Sequence, residues 1–410
     1  MTINKTNLVK FGIIDKVKFM SESKKYNILT AIRYLGDSFY YPFISLYLSS
    51  CGLTEANIGF ILSITPLIGI IMNPLFSKFC INPNRTRNVL KVITCIEAII
   101  ILFIAHNTNF YIISALVLLL AISGSCHYGL MDSLFAIYAK QNNIKFSKIR
   151  IWGSIAYVLG TSFGGTLINL TSFRVCFLIA SLLFIISGFL YNSLKPLKVQ
   201  SESNQEVIEK PKYKELLHYK EYLIFALFYV IFIAMMNASD YFFPVYLKTR
   251  GINSGTYGLV YAYYVLVEVL MLFIFNRLKK KPNREVFLLI AAVVLTLRQV
   301  VHFINAPVLL IMIVSAARGF SWSIIIYFAY VYVVEILGER LGTIGIMAMT
   351  FVHSLLLVLL NNVNGVLIEK SGYSTFYLLM IVLGSLAIVV QIIRMITLKK
   401  SNKKDTIEVV

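Results

Sequence analysis

The chain has 410 residues, of which 58% are hydrophobic and only 14% charged, and its mean hydropathy is +0.77. Soluble domains carry about 25% charged residues, so a soluble enzyme and a disordered chain are both excluded and a polytopic membrane protein remains. The formal net charge of +19 invites a nucleic-acid reading, but the placement of the basic residues argues against one.

The first 25 residues are polar and lysine-rich. They hold no apolar stretch, so no cleavable signal is expected. Twelve apolar runs of about the length that crosses a bilayer follow in chain order. The first, 27–50, carries Arg33 and Asp37. The second is 56–78, and the third, 88–106, holds Glu97. The fourth, 110–138, holds Asp132 and is long enough to tilt or to project into water. The fifth, 148–170, has Gly160, Gly164 and Gly165, which allow close helix approach. The sixth is 173–193. A long hydrophilic loop, 194–220, then divides the chain into an N-terminal bundle at 1–193 and a C-terminal bundle at 221–410. Spans at 221–247, 255–277 and 285–304 carry Asp240, Glu268 and Arg298 in turn. The tenth, 307–337, carries Arg318 and is again long; 341–368 and 372–396 complete the set.

Of the 38 basic residues, 31 fall in the two tails and alternate loops, four in the opposite loops and three inside spans. That bias is the positive-inside signal and predicts both termini in the cytoplasm. The halves also repeat at an offset of about 199. Tyr47-Leu48, Gly52-Leu53 and Ile58-Gly59 match Tyr246-Leu247, Gly251-Ile252 and Tyr257-Gly258. Pro83-Asn84-Arg85 returns as Pro282-Asn283-Arg284, and Gly165-Thr166-Leu167-Ile168 echoes Gly365-Val366-Leu367-Ile368. Two repeats of six spans keep the same orientation, so the expected fold is all-α, two six-helix bundles related by an axis along the membrane normal.

Eight ionisable residues lie well inside spans, away from their ends: Arg33, Asp37, Glu97, Asp132, Asp240, Glu268, Arg298 and Arg318. Each costs about 2.5–3.5 kcal/mol at a helix centre, so they must pair or line a wet cavity. Arg33 and Asp37, one turn apart, can pair locally, and Glu97 can face a neighbouring helix. Asp240, Glu268, Arg298 and Arg318 suggest a connected network. With Arg150 at the mouth of its span, acids outnumber bases by one. An acid without a basic partner in low dielectric can carry a proton, but the count does not say which acid it is. His106, His127, His302 and His353 are scattered, without metal-ligand spacing. Cys51, Cys80, Cys95, Cys126 and Cys176 read as small apolar residues. No metal or cofactor is expected. Tyr40, Tyr41, Tyr128, Tyr157, Tyr261 and Tyr264 share spans with charge. They could offer a ring face and a hydroxyl to a sugar or nucleoside.

Pro42-Phe43-Ile44-Ser45-Leu46-Tyr47-Leu48, Asn73-Pro74-Leu75-Phe76, Arg150-Ile151-Trp152-Gly153-Ser154 and Val267-Glu268-Val269 resemble the oligosaccharide/nucleoside/phenylpropionate:proton symporters of the major facilitator superfamily, the lactose permease-like group. The resemblance runs over the whole chain. It implies that Asp132 and Arg150 are the acid–arginine pair that grips solute hydroxyls and that Tyr157 stacks on the solute ring. Glu268 would complete the binding set, and Arg298 corresponds to the arginine of the ninth span. The chain departs from the family at Arg318 and Ser321, where the group has a histidine and its proton-coupling glutamate. It departs again at Ser77 and Ile81 in the loop after the second span.

Together these readings predict a secondary active transporter of the cell membrane that imports a small polar ring-containing solute with protons. Asp132, Arg150, Tyr157 and Glu268 would bind the solute, and Glu268 or Asp240, poised by Arg298 or Arg318, would carry the proton. The expected partners are the solute, protons and the lipid bilayer, with no nucleic acid, and a monomer is expected. A uniporter or an exporter of the same fold is the alternative. Outside transport stand a non-transporting sensor, for which the loop at 194–220 and the tail from 399 are too short, and a membrane enzyme, for which no nucleophile elbow or metal pair is found.

Overall fold

The computed structural model describes residues 20–198, 212–278 and 282–407. The N-terminal lysines before residue 20, most of the loop expected at 194–220, and Lys279, Lys280 and Lys281 lie outside the described residues. Every regular element among the described residues is helical. The helices are α1 Glu22–Tyr40, α2 Ile44–Ser50, α3 Glu55–Phe79, α4 Pro83–Ile104, α5 Phe110–Gly124, α6 His127–Gln141, α7 Ser147–Leu170 and α8 Phe173–Ser193. There follow α9 Lys220–Thr249, α10 Ser254–Arg277, α11 Arg284–Phe303 and α12 Val308–Val314. The last run, Ala316–Ile407, bends at Gly338 (φ 71°) and Gly372 (φ 79°), which gives α13 (316–337), α14 (339–371) and α15 (373–407).

Nine helical stretches among the described residues are long and apolar enough to cross a membrane. The long helices outside that set are α1 and α4, which carry the buried charges of Arg33, Asp37 and Glu97. Three of the expected spans are interrupted. The first breaks at a 3₁₀ turn, Tyr41–Phe43, where Pro42 has no N–H to continue the α-helical ladder. The fourth changes direction at Ser125 and Cys126 between α5 and α6. The tenth kinks at Ser315, whose hydroxyl donates to the Ile311 carbonyl at 2.9 Å and competes with the helix backbone.

The internal repeat survives as geometry. Gly52 and Gly251 both sit at φ 77°, a region open to glycine at low cost. Each closes its helix with the same bond, Leu53 N–H to the Leu48 carbonyl and Ile252 N–H to the Leu247 carbonyl. Thr54 and Asn253 then cap the next helix through their side chains. Tyr47 donates to the Ile104 carbonyl at 2.6 Å, and its counterpart Tyr246 donates to that of His302 at 3.1 Å.

Within the first half α1 packs against α7 and α8, and α4 against α8; within the second, α9 and α11 pack against the α13–α15 run. Helix α9 is apolar on every side, and 72% of its best membrane window is buried, against 28–44% elsewhere. Such a helix belongs in the middle of a bundle. The halves meet where α7 touches α10 and where α3 touches α14. At the first contact Gly165 and Gly258 approach so closely that a Cβ on either would strike the other's backbone. At the second, Gly59 and Gly365 face the backbones of Asn361 and Glu55 in the same way. These contacts lie toward the ends of the helices joined by the Gly52 and Gly251 turns. There Lys248 Nζ donates to Ser49 Oγ at 3.1 Å, Ala56 N–H to Glu369 Oε2 at 3.2 Å, and the Tyr257 hydroxyl to the Pro42 carbonyl at 3.1 Å. The two halves are thus sealed together on one face. Replacing Gly165 or Gly258 by leucine is expected to push α7 and α10 apart. Pulsed EPR between spin labels at Ser49 and Lys248 should then report a longer distance; an unchanged distance in both variants would show that these glycines do not set the seal.

Candidate functional site

Beneath the sealed face lies a cavity of about 490 Å³, within the range of small-molecule sites, about 300–1,000 Å³. Its walls come mostly from the first half: Arg33, Asp37 and Tyr41 at the end of α1, Tyr128 and Asp132 on α6, and Arg150 and Tyr157 on α7. Tyr241 on α9 faces it from the second half. Exposure gives the cavity a direction. The side chains of Asp132 and Arg150 are 38% and 37% exposed, those of Glu97 and Arg33 only 2% and 4%. Water therefore enters from the end where α6 finishes and α7 begins, opposite the sealed face.

At that mouth the hairpin of α6 and α7 brings Arg150 Nε within 3.8 Å of Asp132 Oδ1. This is longer than a hydrogen bond, so both groups keep donor and acceptor capacity for a third party. The Arg150 guanidinium lies over the ring of Tyr34, 4.2 Å from its centroid, which holds it in place by cation–π attraction. Gly153 on α7 has that same ring where its Cβ would stand. Tyr34 also contacts the rings of Tyr128 and Tyr157, with centroids at 4.9 and 6.4 Å. Asp132, Arg150 and Tyr157, separated in sequence, thus surround one aromatic corner. Tyr34 and Tyr241 are not among the residues that the sequence singles out; the signal for Tyr34 is its position one turn before Asp37 on the same helix face.

Deeper in the cavity, Arg33 donates to Glu97 Oε2 at 2.7 Å through Nη1 and approaches Asp37 Oδ2 at 3.3 Å through Nε. The local Arg33–Asp37 pair expected from spacing is present, and Glu97, which stands alone on its helix, shares the same arginine. His127 Nδ1 stands 3.5 Å from Glu97 Oε2, and Phe184 lies under the Arg33 guanidinium at 3.9 Å. The Tyr128 hydroxyl bonds to Asp37 Oδ2.

The network expected in the second half also forms. Arg298 and Arg318 grip the two oxygens of Asp240 at 3.1 and 2.8 Å, and Arg318 reaches Glu268 at 3.3 Å. Gly319 makes this possible, because its bare Cα sits against the Tyr264 carbonyl and brings α13 onto the backbone of α10 beside Glu268. None of these four side chains lines the 490 Å³ cavity. Glu268, expected to bind solute beside Asp132, is paired with Arg318 in this set. Tyr157 and Tyr261 link the regions through their hydroxyls at 3.3 Å, and Tyr264 packs against Tyr261 with the rings tilted and centroids at 4.5 Å. His302 stacks on Phe243 at 5.1 Å, and His353 bonds Asn237 at 3.1 Å, as core residues do. All five cysteines are free, with Cys126 and Cys176 buried.

Removing one partner of a buried ion pair leaves an uncompensated charge, at a cost of about 3–5 kcal/mol. Arg33→Met strands two carboxylates, whereas Glu97→Gln leaves Arg33 with Asp37. Thermal unfolding in detergent should therefore show a markedly larger loss for Arg33→Met than for Glu97→Gln. Equal losses would show that Arg33 does not serve both acids.

Comparison with known proteins agrees with this architecture. Residues 35–377 match the MFS_1 like family. A probable 3-phenylpropionic acid transporter of Escherichia coli (strain K12) is 23% identical over 62% of this chain and 66% of its own length, so the chain matches slightly less than two thirds of that relative. The maltose permease of Geobacillus stearothermophilus is 21% identical over 73% of this chain and 76% of its own. Among solved structures, the nucleoside transporter NupG superposes with a TM-score of 0.76 at 16% identity, covering 93% of this chain and 100% of that one. The match over most of the sequence, together with the helical fold, means that the chain belongs to the MFS_1 like family and is a multi-pass membrane protein of that transporter type.

Proposed function

We propose that this protein is a secondary transporter that imports a small polar, ring-containing solute together with protons, by alternating access. The observation that carries the reading is the cavity itself. A partly exposed acid–arginine pair, Asp132 and Arg150, faces a cluster of tyrosine rings at its mouth, and buried charge waits at its floor, under a face where the two halves are sealed. A lone acid–arginine pair at 3.8 Å suits hydroxyl groups, which can accept from the guanidinium and donate to the carboxylate at once. Tyr34, Tyr128 and Tyr157 suit the apolar face of a ring. The transported compounds in the relatives' names (3-phenylpropionic acid, maltose, a nucleoside) share a ring with polar substituents.

On this reading the chain crosses the membrane twelve times. The nine apolar stretches are joined by α1 and α4, and the run Arg340–Lys399 passes twice, turning at Gly372. Residues 1–193 and 221–410 form six-helix bundles linked by 194–220, with both termini in the cytoplasm of a bacterial inner-membrane protein. The sealed face then looks outward, and the cavity opens to the cytoplasm. Solute would enter when the halves part at the glycine contacts, bind Asp132 and Arg150, and leave inward. The second-half set of Asp240, Glu268, Arg298 and Arg318 would close against the solute from the other side, Tyr241 and Tyr261 being its nearest representatives at the tyrosine bridges.

Reconstituted protein should accumulate radiolabelled maltose, uridine or 3-phenylpropionate in proteoliposomes under an imposed inward proton gradient. Asp132→Asn and Arg150→Ala each remove a charge-assisted hydrogen bond worth about 1.5–3 kcal/mol, which is roughly 10- to 100-fold in affinity. Equilibration without accumulation would make the protein a uniporter, and uptake indifferent to both substitutions would remove this pair from the binding site.

A further inference from the structure

The ion pairs within the membrane region sort into three groups whose charges do not balance alike. Asp132 and Arg150 are one acid and one base. Asp240 and Glu268 meet Arg298 and Arg318, two acids and two bases. Asp37 and Glu97 share the single guanidinium of Arg33. The surplus carboxylate that the sequence counts but does not locate therefore lies at the floor of the first-half cavity.

The geometry distinguishes the two acids there. Glu97 takes the close contact with Arg33, 2.7 Å, has His127 on its other side at 3.5 Å, and is 2% exposed. Both acids line the cavity, but Asp37 is farther from Arg33, at 3.3 Å, and is the more open to it at 12% exposed. The charged and titratable groups around Asp37 are Arg33, Tyr34, Tyr40 and Tyr41 on its own helix and the turn that follows, Glu97 from α4, His127 and Tyr128 from α6, Tyr191 from α8 and Tyr241 from α9. From α7 come Tyr157 and, at the mouth, Arg150. The basic groups in this set are Arg33, already engaged by Glu97, Arg150, engaged by Asp132, and the imidazole of His127, which stands against Glu97 and not against Asp37. An acid in excess of its arginines, at the inner end of a narrow wet cavity, is neutralised most cheaply by a proton from that water.

We propose that Asp37 is the carboxylate that takes up and releases the coupled proton, rather than the acids of the second-half network. The inference rests on the carrier reading above. The step is a proton transfer alone: a proton from cavity water joins an Asp37 carboxylate oxygen, and the same proton returns to water when the group is next hydrated. Two connections tie that event to the rest of the cycle. Tyr128, bonded to Asp37, lies one turn before Asp132 on α6, so solute at the Asp132–Arg150 pair and the proton on Asp37 act on the same helix face. Tyr41 lies one turn after Asp37, and its hydroxyl meets that of Tyr241, the neighbour of Asp240, at 3.5 Å across the two halves. A change of charge at Asp37 is thereby felt both at the solute pair and at a contact between the halves.

The test has two arms, one of which needs no solute. Infrared difference spectra of purified protein between acidic and alkaline buffer should show the C=O stretch of a protonated carboxyl group. The band should be absent in Asp37→Asn, shifted in Asp37→Glu, and retained in Glu268→Gln and Asp240→Asn. In proteoliposomes preloaded with the transported member of the maltose, uridine and 3-phenylpropionate panel, Asp37→Asn should lose about tenfold or more of its gradient-driven accumulation while keeping exchange of labelled for unlabelled solute. A band that survives Asp37→Asn and disappears in Glu268→Gln or Asp240→Asn overturns the assignment, as does the absence of any titrating band in the parent protein. If no solute moves at all, the carrier reading fails while the spectra still decide which carboxyl group titrates. If Asp37→Asn does not fold, the band shift in Asp37→Glu carries the decision.

Discussion

A charge in the middle of a bilayer is stable only beside an opposite charge or beside water, and this structure is arranged around that requirement. Arg33 and Arg298, which are buried, and Arg318, which is partly buried, each hold at least one carboxylate within 3.3 Å. Their placement explains why two long helices, α1 and α4, stay in the bundle although they are less apolar than the others. Each supplies part of an ion pair that the other completes, with Arg33 on α1 facing Glu97 on α4. Aromatic rings support this arrangement. Phe184 lies beneath Arg33, Phe243 beneath Arg298 and Tyr34 beneath Arg150, so each guanidinium has a polarisable face where it lacks a polar partner.

Much of the fold was legible because a bilayer punishes the wrong residue at every position along a span. Apolar runs, the bias of lysine and arginine among loops, and the recurrence of Gly52 as Gly251 all follow from local physical rules that read directly from the chain. The points missed are those that depend on a distant neighbour. Nothing in the sequence around Glu97 announces Arg33, which lies 64 positions away on another helix. The breaks at Pro42, Ser125 and Ser315 lie inside runs that are apolar as a whole, and a kink changes backbone hydrogen bonds without ending such a run. For the candidate site, the Asp132–Arg150 pair came from resemblance, and the hairpin that joins its helices brings the two side chains within 3.8 Å. The partner of Glu268 depends on a distant close approach, since Gly319 draws α13 onto α10 and brings Arg318 to Glu268.

The glycine contacts and the cavity are two expressions of one geometry. Where Gly165 meets Gly258 and Gly59 meets the backbone of Asn361, helices from opposite halves come as close as bare backbones allow. The cavity lies beneath these contacts, walled mostly by the first half, with Tyr241 facing it from the second. Packing without side chains is also reversible packing. No interdigitated core has to be dismantled for the contact to part, and in lipid such contacts depend on close van der Waals fit rather than on the hydrophobic effect.

The distribution of polar contacts points the same way. Among the described residues no ion pair joins the two halves; each lies within one half, apart from Arg340 with Glu215, which ties the second half to the segment leading into it. The contacts that do cross are hydroxyl pairs such as Tyr41–Tyr241 at 3.5 Å and Tyr157–Tyr261 at 3.3 Å, single bonds to carbonyls such as Tyr257 to Pro42, a lysine–serine contact, and one backbone N–H, that of Ala56, to the Glu369 carboxylate. A neutral hydrogen bond contributes on the order of 1 kcal/mol net, whereas breaking a buried ion pair costs about 3–5 kcal/mol. Each half is therefore held rigid by interactions too strong to break during a cycle, and the two are held to each other by interactions weak enough to exchange for water. On the carrier reading proposed above, a body built this way would move as two rigid pieces, and the tyrosine hydroxyls that bridge them are where a small change in charge at the floor of the cavity would tip the balance between one closed face and the other.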